Sequence, residues 1–409
     1  MSTKAKVGGK VPKLRFPEFR DAPVWDETTL EDVGQFVKKK MPLNELTLKT
    51  YVSTENLLPE YGGFSIASKL PQLGTVTGFK QQDILISNIR PYLRKVWLAL
   101  FDGGASNDVV VIRSKNNDSS EFLAFLLMND EFIGYVMKGA KGVKMPRGDV
   151  SLMRKYPLAV PSKVEQQKIA TCLTSIDELI ATRTQKLGAL KAHKKGLMQR
   201  LFPAEGETVP NLRFPEFRDA PEWKEKRAGT LFINRTEEGV AGLPIYSVTM
   251  NDGMIKRALL DRHLEDIAKP EGNKKAYKND IVYNMMRMWQ GAFGVVVEDC
   301  MVSPAYVILA PRDRACSNFF GYLLKLPRYL RLLACHSQGL TSDRLRLYYK
   351  DFARIPLLCP AFPEQQKIAY FLSSIDELIA AQTQKIESLK SHKKGLMQQL
   401  FPVVEEEDR

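Results

Sequence analysis

The stretch from Glu165 to Phe202 constrains this chain more than any other, because it reads as an amphipathic helix too long for an ordinary globular fold and it occurs twice. Ile169, Leu173, Ile176, Ile180, Leu187, Leu190, Leu197 and Leu201 recur at spacings of three and four, with Arg183 and Lys194 interrupting the rows. That is the stripe of a coiled-coil strand. Pro161 and Ser162 stand just before it and Pro203 just after, as start and stop signals. The pattern returns from Glu364 to Phe401, with Ile368, Leu372, Ile375, Ile379, Ile386, Leu389, Leu396 and Leu400 on the stripe and Gln382 and Lys393 at the breaks. Such a stripe cannot bury itself, and its obvious counterpart is the other copy. The two helices are therefore expected to pair antiparallel, each roughly 50 Å long at about 1.5 Å per residue, with the shared breaks at solvent, DNA or a partner protein.

The helix is not the only repeated element. Leu14-Arg15-Phe16-Pro17-Glu18-Phe19-Arg20-Asp21-Ala22-Pro23, followed by Trp25, reappears unchanged at Leu212 to Pro221, followed by Trp223. Within the helices, Ser175 to Ile180 matches Ser374 to Ile379, and His193 to Gln199 matches His392 to Gln398. The chain is a tandem duplication, and two long repeats point to pseudo-twofold symmetry rather than a solenoid. Its expected parts are a disordered basic tail (1–12), a globular domain (13–160), a long helix (161–203), a second globular domain (204–359), a second long helix (360–402) and an acidic tail (403–409).

Between the repeated elements the halves diverge. In the first, 83–87 and 108–112 read as buried strands and 121–138 as a helix; in the second, 280–284 and 305–309 take the strand parts and 318–335 the helix. The fold class is mixed α/β, with two globular domains joined by two long helices. A retained frame around replaced contents implies one shared structural or partner role and two different ligands.

Charge narrows the choice of ligand. With 60 Lys and Arg against 47 Asp and Glu, the formal net charge is +13, which favours nucleic acid ahead of an acidic protein or an anionic membrane surface. No apolar run is long enough to span a membrane and no secretory signal is present, so the expected location is cytoplasmic. Five cysteines without C-x-x-C spacing argue against a disulfide framework or a metal site. The adjacent Cys335 and His336 are poorly placed to converge on one ion.

No catalytic motif is found. There is no phosphate-binding loop and no glycine-rich nucleotide turn. Ser303-Pro304-Ala305-Tyr306 lacks the second proline of an amino-methyltransferase motif, and Asp219, Glu222 and Lys224 are too tightly spaced to converge as a nuclease site. No catalytic residue, cofactor or metal ligand is assigned to the chain.

Recognition features are stronger. Asn88, Arg90, Tyr92, Arg94 and Lys95 follow the first predicted strand, and Lys141, Lys144 and Arg147 form a second basic cluster before the long helix. In the other domain Asn284, Arg287, Trp289 and Gln290 follow the corresponding strand, and Ser337, Gln338, Thr341, Ser342, Arg344 and Arg346 form the second set. Arg pairs bidentately with guanine, Asn and Gln with adenine, and Lys or Ser with phosphate. For any one of these residues a structural role fits equally well, and Trp289 with its Met neighbours also suits core filling. Their occurrence as loop sets at equivalent places favours DNA contact. His193-Lys194-Lys195 and His392-Lys393-Lys394 fit a solvated helix face as well as phosphate contacts.

The repeated decapeptide with its tryptophan, Glu165-Gln166-Gln167-Lys168-Ile169-Ala170 and its copy at Glu364, the Ser-Ile-Asp-Glu-Leu-Ile pair, and the segments beginning at His193 and His392 occur in one order, twice. In these motifs, across essentially its whole length, the chain resembles the specificity subunit of type I restriction-modification systems. The resemblance implies two target recognition domains, each reading one half of a bipartite site on double-stranded DNA, with the paired helices as a ruler. It also implies two modification subunits that bring S-adenosylmethionine and methylate adenine, and restriction subunits that bring ATP-driven translocation and cleavage, with Mg on those partners. The chain itself would be non-catalytic. A stand-alone DNA-modifying enzyme and a structural coiled-coil adaptor are the rival readings. Inserting four residues near Thr184 is expected to shift the spacer length that a bipartite site must have, read by binding to sites of graded spacing; an unchanged preference would remove the ruler.

Overall fold

The computed structural model describes residues 10–116, 118–250, 253–260, 272–339 and 344–402. The chain divides into two compact units, one made of residues 1–184 with 384–409, the other of residues 185–383. The division falls within both long helices, Lys163–Leu201 and Phe362–Leu400.

In the first unit a two-stranded antiparallel ribbon, Asp26–Thr29 with Pro157–Val160, closes the globular domain just ahead of the long helix. Next comes an antiparallel sheet in the order Gly34–Phe36, Val109–Ser114, Ile84–Ser87, Val96–Leu98. The second unit repeats both, with the ribbon Lys224–Arg227 and Pro356–Cys359 and the sheet order Phe232–Arg235, Tyr306–Pro311, Ile281–Asn284, Phe293–Val295. Each sheet is anchored by a buried carboxylate at the foot of a central strand. Asp83 accepts two bonds from Arg113 at 2.7 Å, and Asp280 accepts from Arg235 at 2.8 and 3.4 Å.

A second sheet in each unit shows where the halves part. Thr75–Phe79, Gly103–Ala105 and Tyr51–Val52 lie side by side in the first unit, as Lys274–Ala276, Cys300–Val302 and Ile245–Thr249 do in the second. The fourth strand joins opposite edges of these trios: Lys40–Pro42 beside Thr75–Phe79, and Gly253–Lys256 beside Ile245–Thr249.

The expected single helix over 121–138 is two, Ser120–Leu127 and Asp130–Lys138, because the Asn129 side chain accepts from the Phe132 amide and caps a new start. The helix expected over 318–335 is likewise divided into Ser317–Leu323 and Pro327–Cys335, with Pro327 at the first helical position.

The repeated sequence elements meet in each unit. Glu165, 1 % exposed, is gripped by Arg15 at 2.8 and 2.7 Å and by the Trp25 indole at 3.3 Å, while Arg15 also donates to the carbonyls of Ala22 and Pro23. Glu364, Arg213, Trp223, Ala220 and Pro221 repeat every one of these bonds. Beside them, the Gln166 carboxamide accepts from the Ser119 amide and donates to the Pro161 carbonyl, as Gln365 does with Cys316 and Pro360. The Leu14 amide donates to Gln399 O at 2.9 Å and the Leu212 amide to Arg200 O at 2.8 Å, satisfying carbonyls at a long-helix C-terminus.

Within each unit the helix segments run antiparallel. In the first, Ile169 and Leu173 pack with Leu400 and Phe401; in the second, Ile368 and Leu372 pack with Leu201 and Phe202. The other stripe residues, Ile176, Ile180, Leu187, Leu190, Leu197, Ile375, Ile379, Ile386, Leu389 and Leu396, are buried or half-buried. The breaks were expected at solvent, DNA or a partner protein, and here the structure differs. Lys393 turns inward to Asp177 at 2.7 Å and lies over the Phe125 ring, while Lys194 pairs with Asp376 and lies over Tyr322. Gln382 is buried as well. An inward lysine with a cross-helix carboxylate fixes register at some cost in stability.

Replacing Glu364 by Ala leaves the Arg213 guanidinium buried without its charge partner, and the expected loss is about 3–5 kcal/mol of unfolding free energy. Replacing Arg213 and Glu364 together by Met and Leu should cost much less, and denaturant unfolding followed by Trp fluorescence checks both.

Candidate nucleic-acid interface

In the first unit strand Ile84–Ser87 runs directly into residues 88–95, where Pro91–Leu93 forms a tight turn between Arg90 and Arg94. Both arginines are left-handed, at φ 51° and 54°, a conformation that L side chains adopt at a cost and that surrounding bonds must hold. At Arg94 the carbonyl accepts from the Tyr61 amide at 2.9 Å, and around Arg90 the bonds come from the loop before the long helix. The Arg90 amide donates to Pro146 O at 2.7 Å, the Gly148 amide donates to Asn88 O at 3.0 Å, and Lys141 and Arg147 exchange backbone bonds that close a hairpin. Gly142 takes φ 97° in that hairpin, a position only glycine fills without strain. The two sequence-predicted basic clusters thus form one stitched surface.

The second unit builds the same junction from different residues. Strand Ile281–Asn284 leads into 284–290, the Leu347 amide donates to Met285 O at 2.9 Å, and Gln338 and Arg346 exchange backbone bonds at 2.8 Å.

The side chains on these surfaces fall into two groups. Tyr92, Lys141, Lys144 and Arg147 are exposed in the first unit, and Arg287, Gln290, Arg344 and Arg346 in the second. Arg147 also pairs with Asp108, which aims it without covering it. Arg90 is half-buried. The other residues serve the scaffold. Arg94 is shared between Glu60 at 2.9 Å and Asp130 at 2.7 Å. Lys95 donates to Thr54 O at 2.6 Å, and burial pushes its ammonium below the usual lysine range. Asn88 is buried, Asn284 accepts from the Met286 amide, and the half-buried Trp289 donates to Met286 O. Ser337 donates to Leu333 O and the Gln338 carboxamide to Asp351. Thr341 and Ser342 lie outside the described residues.

Sequence reasoning missed the partners that decide this sorting. Thr54, Glu60, Asp108, Asp130 and Asp351 are distant in sequence from the residues they hold, and no spacing signals them. It also missed Val143 and Met145, which stand exposed at the hairpin tip.

Comparison with known proteins gives this geometry its context. The type I restriction modification DNA specificity domain matches residues 24–192 and again 224–391. The chain belongs to the type I restriction-modification DNA specificity family. Each of its two specificity domains contains one stitched loop pair. The type I restriction enzyme MjaVIII specificity subunit of Methanocaldococcus jannaschii is 24 % identical over 95 % of this chain and 93 % of its own length. The crystal structure of the type I restriction-modification S subunit from M. genitalium matches the fold with a TM-score of 0.63 at 16 % identity, covering 97 % of this chain and all of that one. A chain from a structure of complex assembly and conformational transition of the type I R-M system matches with a TM-score of 0.51 at 18 % identity, over 91 % of this chain and 96 % of that one. Among the described residues no helix is long and apolar enough to cross a membrane.

Replacing Lys141 and Lys144 by Ala is expected to weaken binding uniformly across DNA sequences and to reduce the slope of log affinity against log salt by about 1 for each phosphate no longer neutralised. Lys95→Met should leave that slope unchanged, and titrations at graded ionic strength on random-sequence duplex separate the two.

Proposed function

We propose that the chain is the DNA sequence-recognition subunit of a type I restriction-modification complex, its two specificity domains reading the two halves of a bipartite site. The observation that carries this reading is the recurrence of one loop junction in both specificity domains, with matching framework bonds beneath it and different exposed side chains upon it. Tyr92, Lys141, Lys144 and Arg147 face one half-site. Arg287, Gln290, Arg344 and Arg346 face the other, where Arg suits guanine and Gln suits adenine in the major groove. The paired long helices set the separation of the half-sites, as the spacing of other two-fold readers is set by their own scaffold. The basic balance supplies sequence-independent affinity that weakens with salt.

The chemistry belongs to partners. Two modification subunits would bring S-adenosylmethionine for adenine methylation, and restriction subunits would bring ATP and Mg for translocation and cleavage, with the complex working in the cytoplasm. The work of this chain is positional: it selects the site and orients the duplex for those subunits.

Arg287→Ala and Gln290→Ala are each expected to cost about 1–3 kcal/mol of discrimination at the half-site read by the second domain and to leave the other half-site unchanged. Selection from a library randomised over the whole site measures this, and an unaltered base preference at every position would overturn the assignment.

A further inference from the structure

Lys141 to Arg147 forms a hairpin whose base is fixed and whose tip is free. At the base, Lys141 and Arg147 exchange backbone bonds at 3.0 and 2.9 Å, the buried Pro146 accepts from the Arg90 amide, and Arg147 pairs with Asp108. Gly148 packs so closely that a methyl there would come within 2.8 Å of Val136 Cγ1 and Met153 Cε, which seats the base on the core. Residues 141–145, by contrast, are all exposed. They carry two apolar side chains, Met145 and the fully exposed Val143.

A single apolar side chain on a surface needs no explanation. Here two stand two residues apart among Lys141, Lys144 and Arg147, and neither lysine forms an ion pair among the described residues. Those cations draw the tip to a phosphate backbone, yet the apolar pair gains nothing from phosphate. What duplex DNA offers an apolar side chain in its major groove is the C5-methyl of thymine. A two-stranded hairpin also fits that groove, about 12 Å wide, and not the minor groove, about 6 Å wide.

We propose that the hairpin tip enters the major groove and that Val143 and Met145 pack on thymine C5-methyl groups, which makes them specificity-determining residues of the first domain. The inference rests on the DNA-reading role given above and adds which base this loop demands. Two residues of extended chain span at most about 7 Å, and successive bases along one strand lie about 3.4 Å apart. The methyl groups therefore belong to A·T pairs within about three adjacent base pairs. The lysines hold phosphates on the flanks, and because the base of the hairpin is already rigid, docking orders little beyond the side chains at the tip.

Replacing thymine by deoxyuridine removes the methyl and keeps every hydrogen-bonding group, so it tests the contact directly. Binding of the full chain is measured on the site recovered from the randomised library, with each thymine of the half-site that Arg287→Ala leaves unchanged exchanged in turn on either strand. One or two neighbouring exchanges are expected to weaken binding about fourfold each, the worth of burying one methyl. A chain carrying Val143→Ala and Met145→Ala should bind the thymine and deoxyuridine sites equally at those positions, while thymines of the other half-site respond identically in both proteins. Exchange without effect throughout the first domain's half-site, an equal penalty in both proteins, or a half-site there without an A·T pair would overturn the methyl contact and leave the two-domain reading intact. So would 2-aminopurine at that step brightening with the native chain and not with the variant, the sign of an apolar wedge that unstacks the bases. Recovery of no site from the library would remove the recognition role and this contact together.

Discussion

The fold depends on a buried ion pair made twice, Arg15 with Glu165 and Arg213 with Glu364. Each carboxylate sits in the first turn of a long helix, where negative charge is favoured by the helix dipole. Each guanidinium belongs to the second residue of a decapeptide, and two carbonyls of that decapeptide accept further bonds from it. A buried pair of this kind is weak as a source of net stability, because desolvation offsets most of the attraction. Its value is directional. Only one placement of decapeptide, helix start and tryptophan satisfies all the donors, so the recognition domain enters and leaves the frame at a fixed angle whatever its own sequence does in between.

The same logic governs the helix pair. A stripe of leucine and isoleucine alone tolerates slippage by a heptad, whereas Lys393 with Asp177 and Lys194 with Asp376 are satisfied in one register. The identical sequence Ser-Ile-Asp-Glu-Leu-Ile supplies the acid in each case, and the identical His-Lys-Lys supplies the base. Between these fixed points the recognition domains vary freely, down to the edge of the second sheet on which the fourth strand is added.

How much of this was legible in the sequence follows from the range of each interaction. The long helices and strands 84–87 and 281–284 are written in local periodicity, and the duplication marked out the frame. The break at Asn129 depends on a single capping bond, which the continuous apolar pattern around it masks. The loop sets were found because their composition is unusual, yet composition could not separate Arg94 and Lys95, spent on Glu60, Asp130 and Thr54, from Lys141 and Lys144, which face solvent. That sorting is made by residues far away in the chain. The inward turn of Lys194 and Lys393 was hidden for the same reason: a cation on an apolar stripe looks like an interruption until its carboxylate is placed opposite.

The division of the long helices between the units has a bearing on how the chain is made. Residues 185–383 form the second unit as one continuous stretch, whereas the first unit draws on residues at both ends of the chain. Domains ordinarily fold in the order of their synthesis. Here the recognition domain that leaves the ribosome first lacks Leu400 and Phe401 of its core until the last turns of the second helix have emerged. The unit synthesised ahead of the other is therefore completed after it, and until then its unfilled apolar face is what a nascent-chain chaperone would find exposed.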